Sequence, residues 1–151
     1  MKTRGFEIAK GYEDKNINLP IRKTKNAAGY DVEAAEDIII PVYSPGGKPT
    51  LIPTGLKAYC QDDEFYMLVN RSSGPKKGFL MANSIGIIDA DYYENETNDG
   101  HFYFQYFNCS DHDIEVKKGD IIGQVIFMKY LVTDNDNAEG TRTGGFGSTD
   151  K

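Results

Sequence analysis

The sequence predicts an all-β domain of the sandwich or barrel kind, and three observations lead there. β-Branched and aromatic runs recur, among them Ile38-Ile39-Ile40, Phe102-Tyr103-Phe104 and Ile121-Ile122. Gly, Pro, Asn and Asp break those runs into about ten strands, with turns roughly every eight to twelve residues. No stretch carries the apolar period of a long helix, which argues against alternating βαβ units.

In chain order, residues 3–9 are predicted as the first strand, and Pro20 keeps the polar stretch 11–26 extended or turned. Strands are expected at 29–35 and 37–42, followed by a loop at Ser44-Pro45-Gly46-Gly47-Lys48-Pro49. Gly46-Gly47-Lys48 lacks the glycine spacing and the helix of a phosphate loop. Further strands are expected at 51–53, 55–60 and 64–69, with Gln61-Asp62-Asp63 as a hairpin turn. Residues 71–77 form a loop with at most one helical turn near Pro75. In residues 83–92 an apolar run, Ile85 to Ile88, ends in Asp89 and Asp91 with Tyr92 behind them. Strand alternation puts both acids on one face, and the isoleucines are expected to fill core. Residues 95–100 are a polar loop, 101–108 an aromatic strand, Ile114 and Val116 mark another, and 121–132 a long final one.

Composition bounds the function. The 151 residues suit one globular domain, 1–133, with a separate arm, 134–151, whose only large apolar residue is Phe146. That arm needs a ligand or a partner subunit to order it. A net charge of −6 argues against a nucleic-acid surface, so a polyanion would be held in a small pocket by a metal or a few chosen cations. Cys60 and Cys109 have no metal-ligand spacing and read as reduced fillers. With neither a signal peptide nor a membrane-length apolar run, a cytoplasmic location is expected.

Five segments combine Gly, Ser, Arg, Asp and Gln in ways a core does not require. They are Ala28-Gly29-Tyr30-Asp31-Val32-Glu33-Ala34-Ala35, Arg71-Ser72-Ser73-Gly74, Gly86-Ile87-Ile88-Asp89-Ala90-Asp91-Tyr92, Gly119-Asp120-Ile121-Ile122-Gly123-Gln124-Val125-Ile126-Phe127 and Arg142-Thr143-Gly144-Gly145-Phe146-Gly147-Ser148-Thr149. In number, order and spacing they resemble the five motifs of the homotrimeric dUTP diphosphatases, the dUTPases. The likeness runs from about residue 28 to the C-terminus.

That resemblance implies a distorted jelly-roll β-barrel, a homotrimer with shared active sites, in which the flexible Gly-rich tail of one chain closes over a site built by others. It implies hydrolysis of dUTP to dUMP and pyrophosphate, limiting uracil in DNA and supplying dUMP for thymidylate synthesis. Asp89 would activate the attacking water, and Asp31 would hold Mg²⁺ through water. Arg71, Ser72, Ser73, Gln124 and Arg142 would contact phosphates. Asn83, Gly86 and Ile88 belong to the hairpin that reads uracil, largely through main-chain groups, and Tyr92 would pack under the sugar. Gly144, Gly145, Gly147 and Ser148 would close over the phosphates, with Phe146 stacked on the base. Asp91 is given a structural part, an ion pair holding the site.

The chain departs from the commonest family form at several points. Ser73 and Asp150 replace glycines, Arg142 stands four rather than five residues before Phe146, and residues 93–100 look inserted, read here as a surface loop. Two alternatives stay open: a dCTP deaminase of the same fold, and a nucleotide-binding regulatory protein.

Overall fold

The computed structural model describes residues 1–145. Among them run eleven strands: β1 (Gly5–Ile8), β2 (Tyr30–Glu33), β3 (Ile38–Ile40), β4 (Thr50–Pro53), β5 (Leu56–Tyr59), β6 (Glu64–Val69), β7 (Phe79–Met81), β8 (Gly86–Asp89), β9 (Tyr103–Asn108), β10 (Ile114–Val116) and β11 (Ile121–Lys129). Two single 3-10 turns, Pro75–Lys77 and Ala90–Tyr92, complete the regular structure. Strict alternation in β6 buries Glu64, Tyr66 and Leu68, and in β9 it buries Phe104, Tyr106 and Asn108. Their inward rings, with Phe102, Ile40, Ile52, Leu56, Val32 and Val125, make the centre of a distorted barrel.

All strand pairs are antiparallel. The largest sheet has the order β2-β11-β6-β8, a second runs β4-β9-β7, and β1-β5 and β3-β10 close the sides. Thr54 and Asn108, carried into the core, are satisfied there, whereas the buried Tyr66 hydroxyl has no hydrogen-bond partner among the described residues. Thr54 Oγ1 donates to the Phe102 carbonyl at 2.6 Å, and Asn108 Nδ2 donates to the carbonyls of Ile40 and His112.

Several expectations are corrected. The turn after β5 is real, with Glu64 N–H donating to the Gln61 carbonyl, but it is no hairpin: β5 pairs with β1, and β6 with β11 and β8. The buried Glu64 carboxylate organises this crossing, taking the Arg4 guanidinium and the Gln61 N–H. β7 is an additional strand, paired with β9. β11 stops at Lys129, one backbone bond from the Tyr130 N–H to the Asp63 carbonyl follows at 3.1 Å, and Leu131 is exposed. β8 ends at Asp89, so Asp89 and Asp91 do not share one strand face; Asp91 sits on the 3-10 turn. Ile85 and Ile87 are exposed rather than core, because β8 is an edge strand and only Gly86 and Ile88 face inward.

Candidate active site

β8 pairs with β6 in a register that sets Gly86 opposite Leu68 and Asp89 opposite Phe65. This edge strand and the 3-10 turn after it wall a cavity of about 360 Å³, whose lining includes Leu68, Asn83, Gly86, Ile88, Asp89 and Tyr92. Asn83, on the approach to β8, is exposed, and its carbonyl accepts the Ile85 N–H at 2.7 Å. Asp89 stands at the rim with 58% of its side chain exposed. Tyr92 is buried, and that burial raises its hydroxyl pKa. Its hydroxyl donates to the His101 carbonyl and accepts from Asn98 Nδ2, both at 2.7 Å.

The chain returns to this cavity after an exposed run, 128–141. Arg142 Nε donates to Asp91 Oδ1 at 2.7 Å and Nη2 to Asp89 Oδ2 at 2.5 Å, so Arg142 bridges both acids. These carboxylates, Asp91 first, hold the guanidinium pKa above its ordinary value. Arg142 Nη1 also donates to the Gly144 carbonyl at 3.0 Å. Gly144 is buried, and Gly145 lies on the Tyr92 ring, where an added Cβ would stand 2.4 Å from Cε1. Only glycine allows that approach.

A second cluster forms across β2 and β11. Asp31 lies opposite Gln124, and the Asp31 carboxylate is 4.0 Å from Arg71 Nε. Gln124 Nε2 donates to the Asn70 carbonyl at 3.2 Å, and its side chain fills the space beside buried Gly29, where a Cβ would stand 1.9 Å from Oε1. Arg71 and Ser73 sit in the turn that Gly74 closes, with Ser72 exposed beside them. Arg71 also lines a broad groove of about 900 Å³ together with Lys76 and Lys77. Asp31 offers a hard carboxylate oxygen beside a cation and an amide, and among the described residues no group of three His, Cys, Asp or Glu side chains converges on one point. A magnesium ion fits such a donor set when most of its ligands are phosphate and water oxygens.

The structure thus gathers the sequence-predicted residues into two groups. Asn83, Gly86, Ile88, Asp89, Tyr92, Arg142 and Gly145 meet at the cavity, with Gly144 beside it. Asp31, Arg71 and Gln124 meet elsewhere, with Ser72 and Ser73 in the turn beside them. Phe146, Gly147 and Ser148 lie outside the described residues. Across the large sheet, Asp31 and Asp89 belong to opposite edge strands, and their partners on β6, Val69 and Phe65, lie toward opposite ends of that strand. Three strand spacings and four residues of rise separate the two acids by roughly 20 Å.

Residues that sequence reasoning passed over include Asn70, which receives Gln124, and Phe102, Tyr103 and Gln105, which line the cavity. Gln105 carried a signal, as a polar side chain flanked on both sides by aromatic residues of the strand. The segment 93–100, expected to be a plain surface loop, is also corrected. Asn95 and Gly100 are buried, and Asn98 reaches the Tyr92 hydroxyl.

Comparison with known proteins gives the family of the chain. The dUTPase family model matches residues 15–150. A deoxyuridine 5'-triphosphate nucleotidohydrolase of Lactococcus lactis is 47% identical over 99% of both chains. One from Actinobacillus pleuropneumoniae serotype 3 is 32% identical over 100% of this chain and 99% of its own. Among solved structures, the crystal structure of dUTPase from Streptococcus mutans superposes with a TM-score of 0.79 at 42% identity, covering 87% of this chain and 99% of that one. A dUTPase from phage phi11 of S. aureus, 16% identical, shares the fold with a TM-score of 0.72. The all-β barrel, the ordered motifs and these likenesses agree, and the chain belongs to the dUTPase family.

Proposed function

We propose that this chain hydrolyses dUTP to dUMP and pyrophosphate, in sites completed between copies of itself arranged as a homotrimer. The observation that carries this reading is the placement of Asp89 on the rim of the cavity walled by Gly86, Ile88 and Tyr92. Asp89 takes a proton from the attacking water as that water approaches the α-phosphorus in line. The hairpin around Asn83, Gly86 and Ile88 receives uracil, and the Tyr92 ring lies against the sugar where a ribose 2′-hydroxyl would collide. The buried edge of that ring, held by two hydrogen bonds, leaves it little room to yield.

Arg71, Ser72, Ser73 and Gln124 bind the phosphates of the same nucleotide from a neighbouring copy, because one chain holds Asp31 and Asp89 far apart. A nucleophile and the groups on one phosphoryl centre must lie within a few ångströms, about 3–3.5 Å for the reacting atoms. Asp31 would hold Mg²⁺ through water, and the ion would supply charge neutralisation on the phosphates. Residues 134–151 act as an arm distinct from the 1–133 barrel. In it Arg142 turns to the distal phosphate, Gly144, Gly145, Gly147 and Ser148 offer backbone N–H groups, and Phe146 covers the base. The products place the enzyme where dUTP is kept from DNA synthesis and dUMP is provided for methylation to thymidylate. The proposed site of action is the cytoplasm; no helix among the described residues is long and apolar enough to cross a membrane.

Pyrophosphate release measured with dUTP, dTTP, dCTP and UTP, each with and without Mg²⁺, tests the reading. Release from dUTP alone, enhanced by Mg²⁺, is expected. Ammonia from dCTP would point to deamination instead and sink the proposal.

A further inference from the structure

Asn70 is the first residue beyond β6, and the cluster across β2 and β11 converges on it. Its carbonyl accepts from Gln124 Nε2 at 3.2 Å. Arg71, the next residue, stands with its Nε 4.0 Å from the Asp31 carboxylate. The Asn70 side chain has a separate task. Its Nδ2 donates to the carbonyl of Phe79, the first residue of β7, at 2.9 Å. That bond ties together the two ends of the loop 71–78, which carries Arg71, Ser72 and Ser73.

The loop is wound on Gly74. The Gly74 N–H donates to the Arg71 carbonyl at 3.0 Å, and the Gly74 carbonyl accepts the N–H groups of Lys77 at 3.0 Å and Phe79 at 3.1 Å. No left-handed backbone calls for a glycine here, since φ is −58° and ψ −52°. What the glycine does is make room for the Asn70 amide. An added Cβ would stand 2.6 Å from Asn70 Cγ and 2.9 Å from Nδ2, and closer still to Oδ1. The amide is enclosed on its other side as well. The Tyr106 hydroxyl, which donates to the Ile122 carbonyl at 2.6 Å, lies 3.4 Å from Oδ1. Only about 20 Å³ stays open between Asn70, the turn and Ile121–Ile122, room for a single water.

We infer that Asn70 is a positioning residue for phosphate binding, a clamp that makes one rigid unit of groups from distant stretches of the chain. Its main chain seats Gln124, and its side chain, locked against Gly74, fixes the turn of Arg71, Ser72 and Ser73. The inference rests on the phosphate contacts proposed above. Without the amide the ends of the loop part, and the turn loses its register with Gln124. Affinity for phosphates then falls, while the cavity beside β8, which receives the base, is untouched.

Three measurements on the full chain test this. NMR titration gives the affinities for magnesium pyrophosphate and for deoxyuridine, which carries no phosphate. Asn70→Ala should weaken pyrophosphate binding about five-fold, the loss of one hydrogen bond, and leave deoxyuridine binding unchanged. An unchanged pyrophosphate affinity, or an equal loss for both ligands, overturns the role of Asn70. Gly74→Ala should push the amide aside and weaken pyrophosphate binding likewise. In an Asn70→Ala chain the same change should add less, because the amide is no longer there to collide with the new methyl. Strain between that alanine and Pro75 is common to both backgrounds and cancels. Full additivity of the two changes overturns the clamp. The third readout needs no ligand: the side-chain amide protons of Gln124 should shift in both single variants. Unmoved resonances overturn the proposal whatever the site binds. Failure of the unaltered chain to bind pyrophosphate would sink the proposed function, and the resonances alone would then decide the clamp.

Discussion

An exposed acid at the end of an edge strand is ordinarily a solvated turn residue. Asp89 differs because the same turn carries a buried tyrosine and an arginine from far along the chain. As the proposed base it should be worth about 10²–10⁴-fold, so Asp89→Asn should lose that much kcat while calorimetry still detects dUTP binding. His101 matters in another way. Its Nε2 accepts the Gly55 N–H at 2.8 Å, its ring sits between Tyr12 and Tyr103, and burial lowers its pKa from 6.5 to about 4. The unfolded chain therefore takes up this proton before the folded one. The stabilisation is complete above about pH 6.5 and drains away as pH falls toward about 4. Urea midpoints should drop across that window. His101→Gln, which keeps an acceptor for Gly55, should flatten the slope.

At the scale of elements, Gln124 is seated by the absence of a side chain at Gly29. Gly29→Ala would press its methyl onto Oε1, and overpacking of this kind costs about 1–3 kcal/mol. A lower urea midpoint together with a raised KM for dUTP is the expected pair of effects. A midpoint that falls while KM stays constant would separate Gln124 from phosphate binding. Much of this architecture was legible beforehand. β6 emerges with its predicted bounds because its alternation is strong, and the 3-10 turn at Pro75–Lys77 follows from the proline. Other features were hidden for physical reasons. β7 is three residues long, too short to show a period. The Gln61–Glu64 turn looks the same whether its flanking strands pair with each other or with different neighbours. Ile85 and Ile87 read as core because sequence does not reveal which strand lies at a sheet edge. Residues 93–100 read as solvated because a polar side chain has the same sequence signature whether water or protein satisfies it. The candidate residues themselves were found by pattern, but their division into two groups required the β2-β11-β6-β8 order.

That division has its consequence at the scale of the whole molecule. If Asp31 and Asp89 serve one nucleotide, they come from different copies, since the sheet that carries both holds them roughly 20 Å apart. Two variants, Asp31→Asn and Asp89→Asn, should each be impaired when pure. In mixed oligomers some sites recover both acids, one from each chain. With equal amounts and random assembly, the Asp31 side of a site is intact in half the cases and so is the Asp89 side, so about a quarter of sites should regain normal turnover. Co-refolding the two chains and measuring pyrophosphate release per site against the sum of the separate variants is the required experiment. Folded single-chain sites predict no gain on mixing, because every chain then lacks one acid.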